Sequence, residues 1–293
     1  MNRFKSIKWL TFILIFILSI SFISCTSSEE SKEESKTDTL EVTNPTETKT
    51  EVVKTEIVLE KETYNIMVGT TEETEVYVFR SNVDGPTVFI TGGTHGDELA
   101  GWNAALKLLE RDDYRGTVII IPRLDKMGCL LEQRYPGINN KGVYNGIQYS
   151  NLNRVFPGDE NGNVTEQLAY AIVQELQKYK PDYVVDLHES RSSYATDTGS
   201  LLGDQLLYCN ARSALFCEDI IDIYNETKAE EGDVKFGFDG PGVAGSLNDY
   251  YGNVLNVYGF TIETNRKLDL SKRVAQQLNI MDVFFNYIWF GEE

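Results

Sequence analysis

The chain has two histidines in 293 residues, and each follows an apolar run. His95 stands in "GGTHGDE", ahead of Glu98, and His188 stands in "VVDLHES". Two neutral imidazoles and one carboxylate, with the fourth position left to water, are the ligand set of a catalytic zinc site. A turn that opens into a helix brings residues i and i+3 to one side, so His95 and Glu98 can share an ion. The alternative is a pair of hydrogen-bonded structural histidines, but both lie in such motifs, so we predict one zinc ion (Zn2+) per chain on His95, Glu98 and His188.

A zinc hydrolase also needs a base for its water and a positive group for the developing oxyanion. Glu263, in "GFTIETNR", ends an apolar run, where a carboxylate is costly unless it has a partner or a function. We interpret Glu263 as catalytic, with a structural salt bridge as the alternative. Asn153 and Arg154, in "SNLNRVFPG", lie in a loop-like segment, and the planar guanidinium suits a substrate carboxylate.

The elements that must position these residues follow from the hydrophobic pattern. "TVFITG", "GTVIIIP" and "DYVVDLH" are continuous apolar runs rich in β-branched residues, and "TEVYVFR" (74–80) alternates as a half-buried strand does. Helical spacing is present at 97–113, at 163–180 and from about Asp269 to the end. The pattern predicts an α/β fold with a mostly parallel or mixed central sheet and helices on both faces. Ligands of such sheets bind at the carboxyl ends of strands, where both histidines stand.

The N-terminus has the layout of a secretory signal peptide, with basic residues, an apolar stretch and small residues before Cys25. "FISC" resembles the lipobox of bacterial lipoproteins, so we predict an exported protein anchored to the membrane through a lipid on Cys25. A plain secreted protein and a transmembrane helix are the alternatives. We assign 1–24 to the signal peptide, 25–52 to a disordered acidic tether that buries too little to order itself, and 53–293 to one α/β domain.

Charge and cysteine content limit the partners and the covalent structure. The formal net charge is -18 and no basic stripe is present, which argues against nucleic acid as a partner. An odd number of cysteines follows the tether, namely Cys129, Cys209 and Cys217, so a complete disulfide framework is excluded. A bridge between Cys209 and Cys217 is conceivable but not favoured, because the segment between them looks partly helical.

The motif set resembles that of the zinc carboxypeptidase superfamily, and most closely its succinylglutamate desuccinylase/aspartoacylase branch. The motifs follow the order of that family: His95 and Glu98, then Asn153 and Arg154, then His188, then Glu263. "NLNRVFPG" is similar to the branch's "DLNRxFPG", with Asn151 where Asp is usual. The resemblance covers about residues 64–290 and implies a zinc carboxypeptidase-like fold.

The resemblance also implies an activity, the hydrolysis of an amide bond next to a free carboxylate in an N-acyl amino acid or a peptide. It implies that Glu263 acts as general base and then as proton donor. Asn153 and Arg154 would bind the carboxylate of a small substrate, and Arg134 in "EQRYPG" would polarise the scissile carbonyl. Arg123 in "IPRLDK" is the alternative to Arg134.

Other functions remain open from the sequence. A tethered binding lipoprotein that kept the fold without the chemistry is one, and Glu263 speaks against it because a binder needs no base beside the metal. An esterase would use the same site and differ only in substrate. Asp186 and Glu189 flank His188, and we interpret both as groups behind the site or on the surface, although Asp186 could orient an imidazole.

Overall fold

The computed structural model describes residues 56–190 and 203–291. The strands in these residues are β1 (Leu59–Ile66), β2 (Thr74–Ser81), β3 (Thr87–Gly92), β4 (Thr117–Ile121), β5 (Val143–Tyr144), β6 (Ile147–Gln148), β7 (Tyr183–Ser190), β8 (Gln205–Tyr208), β9 (Gly237–Asp239) and β10 (Tyr258–Asn265). Eight of them form one sheet in the order β1-β2-β4-β3-β7-β10-β8-β9, and β5 and β6 form a separate hairpin.

The helices are α1 (Leu99–Leu108), α2 (Lys126–Leu131), α3 (Val164–Tyr179), α4 (Ala211–Thr227), α5 (Leu247–Asp249) and α6 (Leu270–Phe290). Short 3-10 turns lie at Ile138–Asn140 and Leu152–Arg154, and a π-helical turn at Tyr250–Val254 continues α5. Within the described part of the chain, no helix combines the length and the apolarity that crossing a membrane requires.

The centre of the sheet is parallel and its outer parts are mixed. Strands β4, β3, β7 and β10 run parallel to one another. Strand β1 pairs antiparallel with β2, β2 with β4, and β8 with β10, whereas β9 pairs parallel with β8. The apolar runs predicted as strands form β3, β4 and β7, and the mixed central sheet is confirmed. Their carboxyl ends meet at one edge, which is where a parallel sheet presents ligand-binding residues.

Helices cover both faces of this sheet, as the sequence predicts. On one face, buried residues of α1, α4 and α6 pack against strand residues such as Val88 and Ile90. On the other face, α3 packs against the alternate residues of the same strands, including Phe89 and Val184. Two-sided burial explains why the central strands are continuously apolar and do not alternate.

The predicted helices are present, with one shorter than expected. Helix α3 begins with a capping box, in which the Asn163 side chain accepts from the backbone of Glu166 and the Glu166 side chain accepts from the backbone of Asn163. Helix α1 ends at Leu108, although helical spacing extends to residue 113. The Tyr114 side chain is fully buried after the helix, and its hydroxyl donates to the Leu108 carbonyl at 2.7 Å, which satisfies a backbone acceptor at the helix end.

The three cysteines of the domain are free and buried. Cys217 lies in α4, and Cys209 lies two residues before the start of that helix. The Cys209 sulfur lies 3.2 Å from the Ser213 hydroxyl. The Cys209–Cys217 bridge, left open by the sequence, is not formed. Burial raises the pKa of Cys209 to about 11, so its thiol stays protonated at neutral pH.

Candidate active site

The two histidines and Glu98 come together at the carboxyl edge of the sheet. His95 and Glu98 lie between β3 and α1, and His188 lies in β7, the parallel neighbour of β3. One ligand atom from each of the three side chains lies within 4.8 Å of the others. All three are at most 3% exposed, so little of their surface is left to solvent.

Close backbone packing brings α1, and with it Glu98, against the end of β7. A Cβ atom at Gly101 would lie 2.1 Å from the carbonyl oxygen of Leu187, so only glycine permits this contact. A Cβ at Gly96 would lie 1.9 Å from the carbonyl carbon of Gly128 in α2. The glycines of "GGTHGDE" and of the first turn of α1 thus serve helix and strand packing around the site.

The imidazoles present the same nitrogen to Glu98. His95 Nδ1 lies 2.9 Å from Glu98 Oε1, and His188 Nδ1 lies 2.6 Å from Glu98 Oε2. The rings meet edge to face, with their centroids 4.9 Å apart. Two Nδ1 atoms and a carboxylate therefore converge on one small volume.

The outward-facing nitrogens are held by acceptors. His95 Nε2 lies 3.1 Å from Asn151 Oδ1, and His188 Nε2 lies 2.6 Å from Asp186 Oδ2. With acceptors at both Nε2 atoms, each ring can keep a proton there and use its Nδ1 lone pair for a metal ion, which would displace the second proton that Asp186 and Glu98 favour on His188. The donor set of two neutral imidazoles and one carboxylate fits zinc with an open coordination position.

The charges inside the cluster shift its titrations. Burial lowers the pKa of His188, but the carboxylates of Asp186 and Glu98 outweigh burial and hold that pKa well above its usual value. For His95, burial dominates and the pKa is lowered. Burial raises the pKa of Glu98, and the two imidazoles more than reverse this, so Glu98 stays ionised. A cation is the natural complement of this buried carboxylate.

Glu263 lies beside this cluster. It sits in β10, opposite His188 in the register of the two parallel strands, and is 8% exposed. Burial raises its pKa to about 8, with the Glu98 and Asp186 carboxylates adding to the rise and His188 opposing it. A buried carboxylate of raised pKa next to a candidate metal site has the basicity that proton transfer requires.

Two arginines and an asparagine complete the polar side of the pocket. Arg134 Nη1 donates to Glu98 Oε1 at 3.1 Å, and Arg154 and Asn153 also line the cavity. Burial and the charge of Arg134 lower the pKa of Arg154. Arg123, the alternative to Arg134, lies over the Trp102 ring and is absent from the lining of this pocket. The geometry thus favours Arg134 over Arg123.

The pocket has a volume of about 720 Å³ and is open to a substrate from outside. Its far wall is formed by residues of the segment 239–246, which begins at the last residue of β9. Asn248, which is buried, holds this wall by accepting from the Gly242 N–H at 2.9 Å and donating to the Leu207 carbonyl at 3.1 Å. The cavity is large enough for an amino-acid derivative and is lined by both charge signs.

Sequence reasoning offered Asp186 only as an alternative orienting group for an imidazole, and it missed the contacts of Asn151, of two threonines and of Arg266. Asn151 and Asp186 bind the imidazoles, and the two threonine hydroxyls of Thr91 and Thr94 donate to Asp186 Oδ1 at 2.7 and 2.9 Å. Arg266 donates to Asp97, next to Glu98, and so ties the end of β10 to the loop that carries His95 and Glu98. For Asp186, the sequence offers its position two residues before His188. For Arg266, nothing in the adjacent residues "TNR" indicates that its partner is Asp97.

The structure gives Glu189 a structural role behind the site. Its carboxylate forms an ion pair with Arg273 and accepts the Ala100 N–H at 3.0 Å, and so it anchors α1 and α6 to the end of β7. The predicted signal peptide, the tether and Cys25 lie outside the described residues and stay predictions.

Comparison with known proteins places this geometry in a family. Residues 84–280 match the family model described as the succinylglutamate desuccinylase/aspartoacylase catalytic domain. A curated relative, the N-alpha-acetyl-L-2,4-diaminobutyric acid deacetylase of Halomonas elongata, is 39% identical over 108 residues. That stretch is 36% of this chain and 29% of the deacetylase.

Solved structures share the fold at low identity. The tripeptide-bound cell shape determinant protein Csd4 of Helicobacter pylori is 16% identical with a TM-score of 0.59, over 79% of this chain and 55% of that protein. An aspartoacylase family protein of Mesorhizobium loti is 24% identical with a TM-score of 0.53, over 76% and 66%. The product-bound ectoine utilization protein EutE (DoeB) of Ruegeria pomeroyi is 19% identical with a TM-score of 0.57, over 78% and 67%.

Proposed function

The chain belongs to the succinylglutamate desuccinylase/aspartoacylase family, and on this premise we propose that it is an exported zinc-dependent hydrolase of amide bonds. The bond cleaved lies next to a free carboxylate, in an N-acyl amino acid or at a peptide C-terminus. The observation that carries the proposal is the convergence of His95, Glu98 and His188 beside the buried Glu263. The names of the relatives support amide hydrolysis, since one is a deacetylase and another binds a tripeptide.

The roles of the side chains follow from their places in the pocket. Zinc held by His95, Glu98 and His188 supplies Lewis acidity to the site when bound. Glu263 takes a proton from the attacking water and later donates it to the leaving amine nitrogen. Arg134, which donates to Glu98, stabilises negative charge on the carbonyl oxygen.

Substrate orientation falls to the segment after β6. Arg154 and Asn153 line the pocket, and Asn153 Oδ1 already accepts the Leu247 N–H at 2.9 Å. The Asn153 amide group and the Arg154 guanidinium are therefore the donors available to a substrate carboxylate. A small molecule with a carboxylate near its amide bond can accept hydrogen bonds from both of these groups.

Export and anchoring complete the proposal from the sequence alone. Residues 1–24 act as a signal peptide, Cys25 carries the lipid, and 25–52 tether the domain of residues 53–293 to the extracytoplasmic face of the membrane. This location would give the enzyme access to peptides and acylated amino acids outside the cytoplasm.

The test is turnover by the zinc-loaded protein on a panel of N-acetyl amino acids and short peptides, followed by detection of released amine. Glu263→Gln should lower kcat by about 10²–10⁴-fold while zinc content stays at about one per chain, because only proton transfer is lost. Glu218→Gln, on the exposed face of α4, is the matched control.

Other outcomes decide against the proposal. Near-normal kcat in Glu263→Gln would make Glu263 a structural carboxylate. A zinc-loaded wild type that binds members of the panel and cleaves none would be the tethered binding lipoprotein. Cleavage of the matched esters alone would make it an esterase.

A further inference from the structure

Glu263 has a polar side chain directly opposite it on the neighbouring strand. Gln205 is the first residue of β8, and it pairs with Glu263 in the antiparallel register of β8 and β10. Directly opposed residues of an antiparallel pair place their side chains on the same face of the sheet, with Cβ atoms about 5 Å apart. The Gln205 amide and the Glu263 carboxyl group are therefore within reach of one another.

The face that these two side chains share is the face of the pocket. The next opposed pair along the two strands, Leu207 and Thr261, lines the pocket. Residues two apart in a strand share a face, so Gln205 and Glu263 lie on that side as well. Leu206, between Gln205 and Leu207, belongs instead to the core on the opposite face.

Neither side chain has a hydrogen-bond partner among the described residues. Gln205 is 0% exposed, and both its amide oxygen and its amide nitrogen are without a partner. The Glu263 carboxyl group forms no hydrogen bond or ion pair with the described part of the chain. By contrast, Thr261 Oγ1 accepts from Asn248 Nδ2 at 3.1 Å. A buried amide without partners lowers the stability of a fold, so its presence at this position calls for a functional reason.

We propose that Gln205 positions Glu263 through a hydrogen bond between the two side chains, and so keeps the carboxyl group aligned for proton transfer. This inference rests on the proposed function and adds one positioning residue to it. Gln205 is fully buried and is absent from the lining of the pocket. It therefore acts through Glu263 and not by contact with the substrate.

A primary amide suits a group that changes its protonation state. The Gln205 NH2 group donates to one oxygen of Glu263, and that oxygen is an acceptor both in the carboxylate and in the carboxylic acid. The other oxygen stays free to take the proton from water and to release it to the amine. A lysine at this position would instead hold Glu263 ionised, because its positive charge favours the carboxylate. The neutral amide orients the base without fixing its charge.

The kinetic test compares Gln205→Leu with a matched glutamine variant in the zinc-loaded protein. Gln205→Leu keeps a similar volume and removes the donor, so kcat should fall by about tenfold, as expected for one hydrogen bond to a charged group, with KM and zinc content unchanged. Gln276, in α6, is also buried and has an unpartnered amide oxygen, and Gln276→Leu should leave kcat and KM unchanged. In a Glu263→Gln background, Gln205→Leu should cause no further loss of kcat, because the base is already gone.

Denaturant unfolding of the zinc-free protein tests the contact without turnover. Gln205→Leu should stabilise a Glu263→Leu chain, because it removes a buried amide that has no partner there. It should not stabilise the chain that keeps Glu263, because the hydrogen bond is lost. Gln276→Leu should have the same effect in both backgrounds. Gln205→Met, which is unbranched and of similar length, takes the place of Gln205→Leu if that variant does not fold.

The outcomes separate this inference from the proposed function. Amide hydrolysis with an unchanged kcat in Gln205→Leu overturns the inference and leaves the proposed function standing. A raised KM at unchanged kcat would make Gln205 a substrate contact and also overturns it. Equal stabilisation by Gln205→Leu with and without Glu263 overturns the contact. A protein without turnover, in which the effect of Gln205→Leu on unfolding depends on Glu263, removes the proposed function and supports the contact.

Discussion

Replacing Asp186 by asparagine should weaken zinc binding while the protein stays folded. Asp186 is 1% exposed, and its Oδ2 accepts from His188 Nε2 at 2.6 Å. Its Oδ1 accepts from two hydroxyls, those of Thr91 and Thr94. An asparagine still offers His188 an acceptor, and the hydroxyls can rotate to accept from its NH2 group. The substitution thus removes the negative charge with little change of shape.

The size of the effect follows from burial and distance. Loss of a partner behind a metal-binding histidine typically lowers metal affinity by about 10–100-fold, or about 1.4–2.8 kcal/mol. The contact is short and fully shielded from water, so we expect a loss nearer to 100-fold. Asp186→Ala is a poorer probe, because it would leave two buried hydroxyls and a ring N–H without an acceptor.

The assay is competition for zinc between the metal-free protein and a chromophoric chelator at fixed pH. Asn151→Asp is the matched variant, because it places the same charge behind His95, where the amide oxygen now lies 3.1 Å from Nε2. We expect Asn151→Asp to tighten zinc binding by up to about tenfold. The zinc affinity of the double variant Asn151→Asp/Asp186→Asn should lie between the affinities of the two single variants. Thermal unfolding of the metal-free forms checks folding. A folded Asp186→Asn protein with wild-type zinc affinity would refute the reasoning.

Three further predictions test other parts of the molecule. Arg154→Ala should raise KM for a carboxylate-bearing substrate at a cost of about 1–2 kcal/mol with a smaller effect on kcat, measured by steady-state kinetics; an unchanged KM would remove its assignment. Cys25→Ser should abolish incorporation of labelled fatty acid and release the protein from membranes, and a wild type that never takes up the label would contradict the anchor. Asn163→Ala should destabilise the domain by about 1 kcal/mol in denaturant unfolding, because it removes the capping box of α3, and no loss of stability would contradict that role.

The sequence predicts which side chains meet in the candidate metal site, because the information needed for this is local. His95 and Glu98 are joined by one turn, so their proximity needs only the strand-to-helix transition after "TVFITG". His188 ends an apolar run, and parallel strands bring such ends together. The same reasoning places Glu263 at this edge. Only the register of β10 against β7, which the sequence does not encode locally, puts it opposite His188.

The outer parts of the sheet could not be predicted in the same way. Strand β1 is largely exposed on both faces, so "LEKETYNI" has no buried face to set a clear period. Strand β9 has three residues, too few for any pattern. Asp239 is carried by this strand, and its place in the pocket follows from pairing with β8 across a long stretch of chain. A pocket residue of this kind can be identified only when the strand order of the sheet is known.

The imidazole partners show why motif comparison and geometry have to be combined. Asn151 stands where the family motif "DLNRxFPG" has an aspartate, and the motif alone would suggest weaker metal binding. In the structure, the neutral amide faces His95, and the negative charge lies instead behind His188, on Asp186. The cluster therefore keeps one carboxylate partner for its two imidazoles. Both partners contact Nε2, and the Nδ1 atoms of both rings point at Glu98, so the change from Asp to Asn in the motif leaves both Nδ1 atoms directed at the same carboxylate.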